Sequence, residues 1–265
     1  MCAAGSEPWT IIGEGRVGSA LARLGTNDTI VKRGDSIPDG TGPIIVATRN
    51  DSLQSVFDAT PEARRQDLVF IQNGMIQPWL NKHGLSDNTQ VLAYFAVAKM
   101  GDMPSGGRTE VNPEGLTAAY GKHANTVAKR LRDGSVACRV LTQQGYTKAM
   151  LEKLVWISAF MLVGQQHGNC SVGDVVKDRK AEVTVLMAEL GRAGAIELGI
   201  QLNPGVIQRL LSYAESVAHF PTAVKEFEWR NGWFYNLSKR AREQGVDDPC
   251  KLHSALLKIM GIVKD

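Results

Sequence analysis

The sequence lacks the patterns that mark several common classes of protein. Its four cysteines include no closely spaced pair, which excludes a C-x-x-C metal or redox motif. The longest apolar run, 154–163, is interrupted by Ser158 and is shorter than the roughly 20 residues that cross a bilayer. No basic stretch alternates with aromatic residues, as a groove for single-stranded nucleic acid requires. We therefore expect neither a membrane nor a nucleic acid as a partner.

The sequence has no large excess of positive or negative charge, and the residues that could bind a metal are not clustered. The 30 Lys and Arg residues nearly balance the 27 Asp and Glu residues, and 43% of the chain is hydrophobic, which excludes a disordered protein. The five histidines show no H-x-x-x-H pairing, so we predict no metal site. The first nine residues carry no secretory signal, and we expect a cytoplasmic protein with reduced thiols. An organelle transit peptide, since removed, is the alternative.

The first half of the chain alternates short β-branched runs with amphipathic stretches. This alternation predicts an α/β domain with a parallel sheet that helices cover on both faces. The predicted strands are 10–12, 29–32, 43–48, 68–72, 91–97, 115–120 and 136–140, and the predicted helices are 17–24, 52–59 and 124–132.

The second half has helical periodicity only. A length of 265 residues suits two domains, and we place their boundary at the turn 143–145, which gives domains 1–144 and 145–265. Gly199 and Gly245 stand where helix C-terminal caps belong. The predicted helices are 146–166, 175–198, 204–217, 222–244 and 249–262.

A glycine-rich turn follows the first predicted strand. Its first glycine permits a tight turn, its second lets the backbone approach a pyrophosphate, and its third lets helix and strand pack closely. This position, after a strand and before a helix, predicts a Rossmann-type dinucleotide-binding domain. The alternative is a turn that only connects the two elements. The motif consists of Gly13, Glu14, Gly15, Arg16, Val17 and Gly18.

Cations close the second and third strands. An NAD-binding chain would place an acid about 20 residues after the motif to accept hydrogen bonds from the ribose, but this chain has Lys32 and Arg33, and Arg49 ends the third strand. Guanidinium groups at this edge can bind a 2′-phosphate, which favours NADP. The alternative is that Asp35 or Asp28 accepts from the ribose and the cations are ordinary surface charges.

One lysine lies in a strongly apolar helix. The stretch 151–163 is apolar nearly all round, as expected for a helix buried on several sides, and Lys153 lies one turn into that helix. Apolar surroundings lower the pKa of a lysine, so Lys153 is a candidate general acid. The alternative is a side chain that extends along the apolar surface and keeps its ammonium group in water.

These residues together resemble the ketopantoate reductases (2-dehydropantoate 2-reductases), over nearly the whole chain. The resemblance rests on the glycine motif with its cations, on the turn 72–75 (Gln-Asn-Gly-Met), on the segment 152–154 before the apolar helix, and on the segment 226–232. It implies a Rossmann-type domain followed by an all-α domain similar to the C-terminal domain of 6-phosphogluconate dehydrogenase. By this resemblance Lys153 is the general acid, Asn73 lies beside nicotinamide and substrate, and Glu226 positions the cofactor or the lysine. Ala98 completes the predicted cofactor-binding residues.

The sequence departs from the family where the substrate binds. Four and eight residues after its lysine the family carries asparagines, whereas this chain has Ile157 and Met161. Ser216 and Thr222 are weak counterparts of a family serine. Because a site that binds hydroxyl and carboxylate groups needs polar partners, we expect a less polar substrate than ketopantoate.

The sequence thus predicts an NADP-dependent oxidoreductase that transfers a hydride to a 2-oxo acid or related carbonyl compound. Its expected partners are a small-molecule substrate and a second copy of the chain in a homodimer. The alternative is a non-catalytic NADP(H)-binding sensor or interaction protein. A scaffold that has also lost the cofactor is the third hypothesis.

Overall fold

The structure, a computed structural model, describes residues 7–95, 97, 101 and 106–264. The chain divides into two compact units. The first consists of Met1–Arg108 and Asn112–Tyr146, and the second of Thr109–Val111 and Thr147–Asp265.

A mostly parallel sheet forms the centre of the first unit. Its strands in the described residues are β1 (Thr10–Ile12), β2 (Thr29–Val31), β3 (Ile44–Val46), β4 (Leu68–Phe70), β5 (Thr89–Leu92), β6 (Ala118–Tyr120) and β7 (Arg139–Val140). Their order in the sheet is β2-β1-β3-β4-β5-β6-β7. The runs that form β1, β3 and β4 are buried at every position, as expected of strands that are covered on both faces.

The strand order brings the glycine turn to the reversal point of the sheet. β1 pairs with β2 on one side and with β3 on the other, parallel to both. In doubly wound sheets ligands bind outside the carboxyl ends of the strands at such a point. The residues after β1, β2 and β3 therefore meet at one edge, as the sequence predicts.

Helices cover the sheet of the first unit. They are α1 (Arg16–Ala22), α2 (Leu53–Ala59), α3 (Gln77–Lys82) and α4 (Ala124–Asp133), with short 3-10 helices at Asn50–Ser52 and Glu62–Asp67. The sequence did not predict α3, because a helix of six residues is too short to show a clear period. The last parallel strand, β5, covers 89–92 rather than the predicted 91–97, and β6 runs antiparallel to it.

The second unit is helical, which confirms the predicted fold class of an α/β Rossmann-type domain followed by an all-α domain. It contains most of α5 (Gln143–Gln166), α6 (Val172–Asp178), α7 (Lys180–Glu197), α8 (Val206–Ser216), α9 (Asn231–Glu243) and α10 (Lys251–Ile259), with a 3-10 helix at Phe227–Trp229. Among the described residues no helix is both long and apolar enough to span a membrane.

Three predicted limits of helices and turns in this half are wrong, whereas the division into domains 1–144 and 145–265 stays a prediction. The turn expected at 143–145 is the first turn of α5. The helix expected at 175–198 is two helices that meet at Arg179, and α6 starts earlier because the Ser171 side chain accepts a hydrogen bond from the Asp174 amide in a capping box. The helix expected at 222–244 starts only at Asn231. The predicted caps are confirmed, since Gly199 and Gly245 adopt the left-handed conformation, with φ of 61° and 67°.

A buried carboxylate connects elements at the edge of the sheet opposite the glycine turn. Asp67 accepts hydrogen bonds from Arg64 Nε at 3.0 Å, from Lys122 Nζ at 2.7 Å and from His123 Nε2 at 3.0 Å. Burial alone would raise the pKa of Asp67, but the bonds from Lys122, His123 and Arg64 outweigh burial and lower it. The charged form of Asp67 thus stabilises the first unit.

We expect Asp67→Asn to lower the free energy of unfolding of this unit by about 3 kcal/mol at pH 7, because the buried Arg64 loses its negatively charged partner and keeps the neutral carbonyl oxygens of Pro38 and Gly42. Since the folded-state pKa of Asp67 is lowered, its contribution is present above the ordinary pKa of about 4 and is lost at lower pH. Denaturant unfolding at several pH values would measure this. Asp133→Asn, which breaks the exposed pair with Lys129, is the control and should change little; equal effects would contradict the prediction.

Candidate functional site

Two of the three motif glycines are required by the packing of the chain itself. Gly13 has a φ of 107°, and a Cβ there would lie 2.9 Å from the Ala47 carbonyl oxygen. A Cβ on Gly18 would lie 1.9 Å from the Gly13 carbonyl oxygen, so only glycine lets α1 pack this closely on the end of β1. These two positions therefore have the structural roles that the motif predicts for them.

The middle glycine of the motif, Gly15, is not required by the packing of the chain. Gly15 has a φ of −67°, which any residue adopts, and no atom lies within 4 Å of a Cβ built on it. It is exposed and directly precedes α1. The space above Gly15 is open, so a side chain there would interfere only with something outside the protein chain.

A cavity of about 600 Å³ lies beside this turn in the first unit. It brings together five predicted residues from the ends of three strands, and it also includes Ser52 and Ser55 near the start of α2, which no sequence motif marks. Gly15, Arg16, Val17 and Gly18 do not line it, and Val17 packs against the core instead. The five predicted residues that line the cavity are Gly13, Glu14, Lys32, Arg33 and Arg49.

The three cations of this cavity differ in their partners. Lys32 Nζ lies 3.0 Å from Glu14 Oε2, and Arg49 Nη2 lies 3.0 Å from Asp51 Oδ2. The hydrogen bond and charge of Glu14 raise the pKa of Lys32. Arg33 has no ion-pair partner among the described residues and is exposed. Arg33 is therefore the cation whose donors are available to an anionic ligand.

The two acids considered as ribose acceptors lie in different places. Asp28 precedes β2, at the opposite end of the strand from the glycine turn, where it accepts hydrogen bonds from the Trp9 amide and from Arg130 Nη1, both at 2.7 Å. Asp28 is thus part of the buried framework. Asp35 lines the cavity, and its Oδ2 accepts from the Lys32 amide at 2.9 Å. Of the two acids, Asp35 therefore remains the candidate acceptor for a ribose hydroxyl in this cavity.

Asn73 lies after β4, and its backbone is held in place. The Asn50 side chain donates to the Asn73 carbonyl oxygen at 2.9 Å, and Gln72 Nε2 donates to the Val46 and Thr48 carbonyl oxygens at 2.8 and 3.1 Å. In the described part of the chain the buried Oδ1 of Asn73 has no hydrogen-bond partner. Ala98, the remaining predicted cofactor residue, lies outside the described residues.

Lys153 lies in the second unit, more than two helical turns after the start of α5. It is 7% exposed, which does not fit the alternative of an ammonium group extended into water. Burial, and second the nearby charge of Arg230, lower the pKa of Lys153 to about 7. The preceding residue, Glu152, is buried and paired with Arg209 Nη2 at 2.5 Å. A buried lysine with a pKa near neutrality can donate or accept a proton at physiological pH.

Glu226 and Arg230 form a buried ion pair in this same unit. Arg230 Nη2 donates to Glu226 Oε2, and the two side chains are 11% and 19% exposed. The helix predicted over 222–244 would place Glu226 and Arg230 one turn apart on an α-helix, but the segment is a 3-10 turn, and Glu226 has a left-handed backbone with φ of 48°. Sequence reasoning missed Arg230 as a site residue, because its burial and its effect on Lys153 depend on the tertiary fold.

Other candidates in the second unit are explained by packing. Trp156 stacks on Phe160 with ring centroids 5.4 Å apart and contacts Tyr213 edge-on at 4.8 Å, so it belongs to the core. The hydroxyl groups of Ser216 and Thr222 donate to backbone carbonyl oxygens at 2.7 and 2.6 Å. Neither hydroxyl thus has the free donor of a substrate-binding serine.

Comparisons by sequence and by structure give different results. No family model matches the sequence, and no curated protein matches it. Solved structures do match. They include 2-dehydropantoate 2-reductase from Methylococcus capsulatus, with a TM-score of 0.71 and 16% identity over 97% of both chains.

Two further structural neighbours are a ketopantoate reductase and a D-mandelate dehydrogenase. A PanE/ApbA family ketopantoate reductase from Ralstonia eutropha JMP134 has a TM-score of 0.68 and 18% identity, covering 96% of this chain and 98% of that one. D-mandelate dehydrogenase in complex with NADH and anilino(oxo)acetate has a TM-score of 0.64 and 13% identity, with coverage of 96% and 98%. The resemblance to the 2-dehydropantoate 2-reductases is confirmed at the level of the fold, which this chain shares with them over nearly its whole length.

Proposed function

We propose that the protein is an NADP-dependent reductase that transfers a hydride to a 2-oxo acid or a related carbonyl compound other than ketopantoate. The observation that carries this proposal is Lys153, a buried lysine in a chain with the fold of 2-oxo acid reductases, whose pKa is lowered to about 7. Groups with strongly perturbed pKa values concentrate in active sites.

The glycine turn and its cavity support a dinucleotide. Gly15 leaves open the space that a pyrophosphate would occupy, and Arg33 offers donors for a 2′-phosphate. Glu14 and Asp51 partly neutralise the two other cations of the site, Lys32 and Arg49. The binding residues in this proposal include the whole motif and Ala98.

The proposed chemistry assigns one task to each residue. When bound, the reduced nicotinamide supplies the hydride to the carbonyl carbon. Lys153 gives the proton from its Nζ to the developing alkoxide oxygen, and Asn73 orients this oxygen through its side-chain amide. Glu226 holds the Arg230 guanidinium through their ion pair. The neighbour that binds NADH and anilino(oxo)acetate supports a 2-oxo acid as the class of substrate.

A non-catalytic NADP(H)-binding protein is the second candidate function. It is favoured by Ile157 and Met161, which stand where the resembling family has asparagines. Turnover separates the two candidates, because a sensor would bind NADPH without oxidising it with any carbonyl compound. A homodimer in the cytoplasm is also part of the proposal, since a neighbour from Staphylococcus aureus is described as a dimeric ketopantoate reductase; light scattering would test the dimer.

Reduction should depend on the protonated form of Lys153. With NADPH saturating, we expect kcat/KM for the carbonyl compound, which reports the enzyme before this substrate binds, to be high below pH 7 and to fall above it, because the lowered pKa leaves the lysine neutral at higher pH. Lys153→Met should reduce kcat by about 10²- to 10⁴-fold with NADPH affinity unchanged. NADPH absorbance across a panel of 2-oxo acids is the measurement, and Lys148→Met in the same helix is the control. Undiminished turnover in Lys153→Met would refute the assignment.

Arg33 should select the cofactor. We expect Arg33→Ala to raise the Kd of NADPH about 10- to 100-fold, as for a lost hydrogen bond between charged groups, and to leave the Kd of NADH nearly unchanged. Calorimetric titration of both nucleotides would measure this, with Lys129→Ala as a surface control. Equal weakening of the two nucleotides, or tighter binding of NADH that depends on Asp35, would show that the 2′-phosphate assignment is wrong.

Substitutions of two motif glycines should have separate effects on thermal stability and on cofactor binding. Gly15→Ala should keep the wild-type Tm, because its Cβ meets no atom of the chain, yet weaken NADPH binding at least tenfold. Gly18→Ala should lower the Tm, because its Cβ would overlap the Gly13 carbonyl oxygen. Thermal unfolding with and without NADPH measures both effects. Normal NADPH binding by Gly15→Ala would mean that no phosphate approaches this turn.

A further inference from the structure

Apart from Lys153 itself, which the proposed mechanism uses as proton donor, the next two turns on this face of α5 offer no donor for a carboxylate. Ile157 and Met161 follow Lys153 at intervals of one helical turn and are both half-buried. Neither side chain forms hydrogen bonds. An ionised carboxylate that leaves water needs donors in the protein, so a 2-oxo acid at this helix must find them on another element of the second unit.

Arg230 is a buried cation with donors to spare. A guanidinium carries five N–H donors in a planar fork. The described contacts of Arg230 include the bond from Nη2 to Glu226, whereas Nε is buried and has no hydrogen-bond partner in the described part of the chain. Its side chain is only 11% exposed. One carboxylate therefore does not use the full capacity of this guanidinium.

Arg230 lies close enough to Lys153 to affect its titration. The positive charge of Arg230 helps to lower the pKa of Lys153, and Arg230 is itself paired with Glu226. A carboxylate matches the guanidinium fork in shape, and its negative charge would be favourable beside these two cations.

We propose that Arg230 binds the carboxylate of a 2-oxo acid substrate, with Glu226 as the positioning residue that fixes the guanidinium. This inference rests on the proposed reductase function and specifies its substrate: an acid whose remaining substituent is apolar, because α5 offers that substituent Ile157 and Met161. Arg230 would thus replace the donors that the asparagines provide in the resembling family.

The backbone of Glu226 supports a positioning role. Glu226 is one of four non-glycine residues with positive φ in the described chain, and this conformation costs an ordinary L-residue roughly 1 kcal/mol. It starts the 3-10 turn that carries Arg230, and Gly232 packs against that turn, since a Cβ there would lie 2.6 Å from the Phe227 carbonyl oxygen. The Arg230 side chain is therefore held from both ends of the segment.

Binding of an acid would also affect the proton donor. Burial and the Arg230 charge lower the pKa of Lys153, and a bound carboxylate would counteract the second of these causes. Lys153 would then keep its proton at neutral pH when a substrate is present. A neutral ester of the same acid would lack this effect.

The test compares acids with their esters. Phenylglyoxylate, 4-methyl-2-oxopentanoate and their methyl esters are given to the NADPH-loaded wild type and to Arg230→Gln, Arg230→Lys and Arg209→Gln. We expect the wild type to prefer the acids. Arg230→Gln should raise KM for the acids about 10- to 100-fold, as for a lost charge-assisted contact, and change KM for the esters much less, so that the preference for acids is lost. Arg230→Lys should recover part of the preference.

Arg209→Gln is the matched control, because it also breaks a buried arginine–glutamate pair of the second unit and thus reproduces a general loss of stability. Its preference for acids over esters should equal that of the wild type. If Arg230→Gln and Arg230→Lys lower the Tm without changing this preference, Arg230 only supports the fold and the proposal is overturned.

Two further results separate this proposal from the reductase function. If the wild type reduces esters as well as acids, the reductase stands and the carboxylate site is overturned. If it reduces neither, but calorimetry shows phenylglyoxylate binding that Arg230→Gln abolishes, the carboxylate site is supported and the catalytic proposal fails. If the wild type reduces no compound and binds no acid, both proposals are overturned.

Discussion

The burial of a positive charge on α5 is the constraint on which the second unit depends. An ammonium group in an apolar helix loses its hydration, so its charged form is disfavoured unless an anion compensates it. Glu226 is paired with Arg230 and Glu152 with Arg209, while burial and the charge of Arg230 lower the pKa of Lys153 to about 7. The lysine can therefore change its protonation state near neutral pH, which is the property that proton transfer requires.

The charged groups of the two units differ in their exposure to water. The cations of the first unit lie in an exposed cavity, where the pairs of Lys32 with Glu14 and of Arg49 with Asp51 are screened by water and contribute little free energy. In the second unit Arg230 and Glu226 are largely buried, where an unbalanced charge is costly. Electrostatic effects are thus expected to depend on salt at the exposed cavity and to depend on it much less at the largely buried cluster.

The glycine motif shows how one short segment can combine packing with binding. Gly13 and Gly18 let α1 and β1 approach each other, and a methyl group at either position would overlap the backbone. Gly15 has no such contact, so folding alone would tolerate a larger residue there. The middle glycine is the part of the motif that faces open space, and its neighbours place it at the reversal point of the sheet.

Local patterns determined the parts of the structure that depend on neighbours in sequence. The alternation of strands and helices, the glycine turn and the caps at Gly199 and Gly245 were all predictable, because turn geometry and hydrophobic period are set within a few residues. The apolar run after Lys153 likewise identified a buried helix. The motifs also indicated the family whose fold the chain shares.

Only the tertiary structure decided the features that depend on distant partners. The antiparallel direction of β6 follows from its pairing with β5, and Asp28 proved to be a buried partner of Arg130, a residue 102 positions away. Residues 226–230 have the spacing of a helix, yet their packing imposes a 3-10 turn that buries Arg230 near Lys153. Burial and charge proximity arise from contacts that the sequence alone does not display, and these contacts set the chemistry of the site.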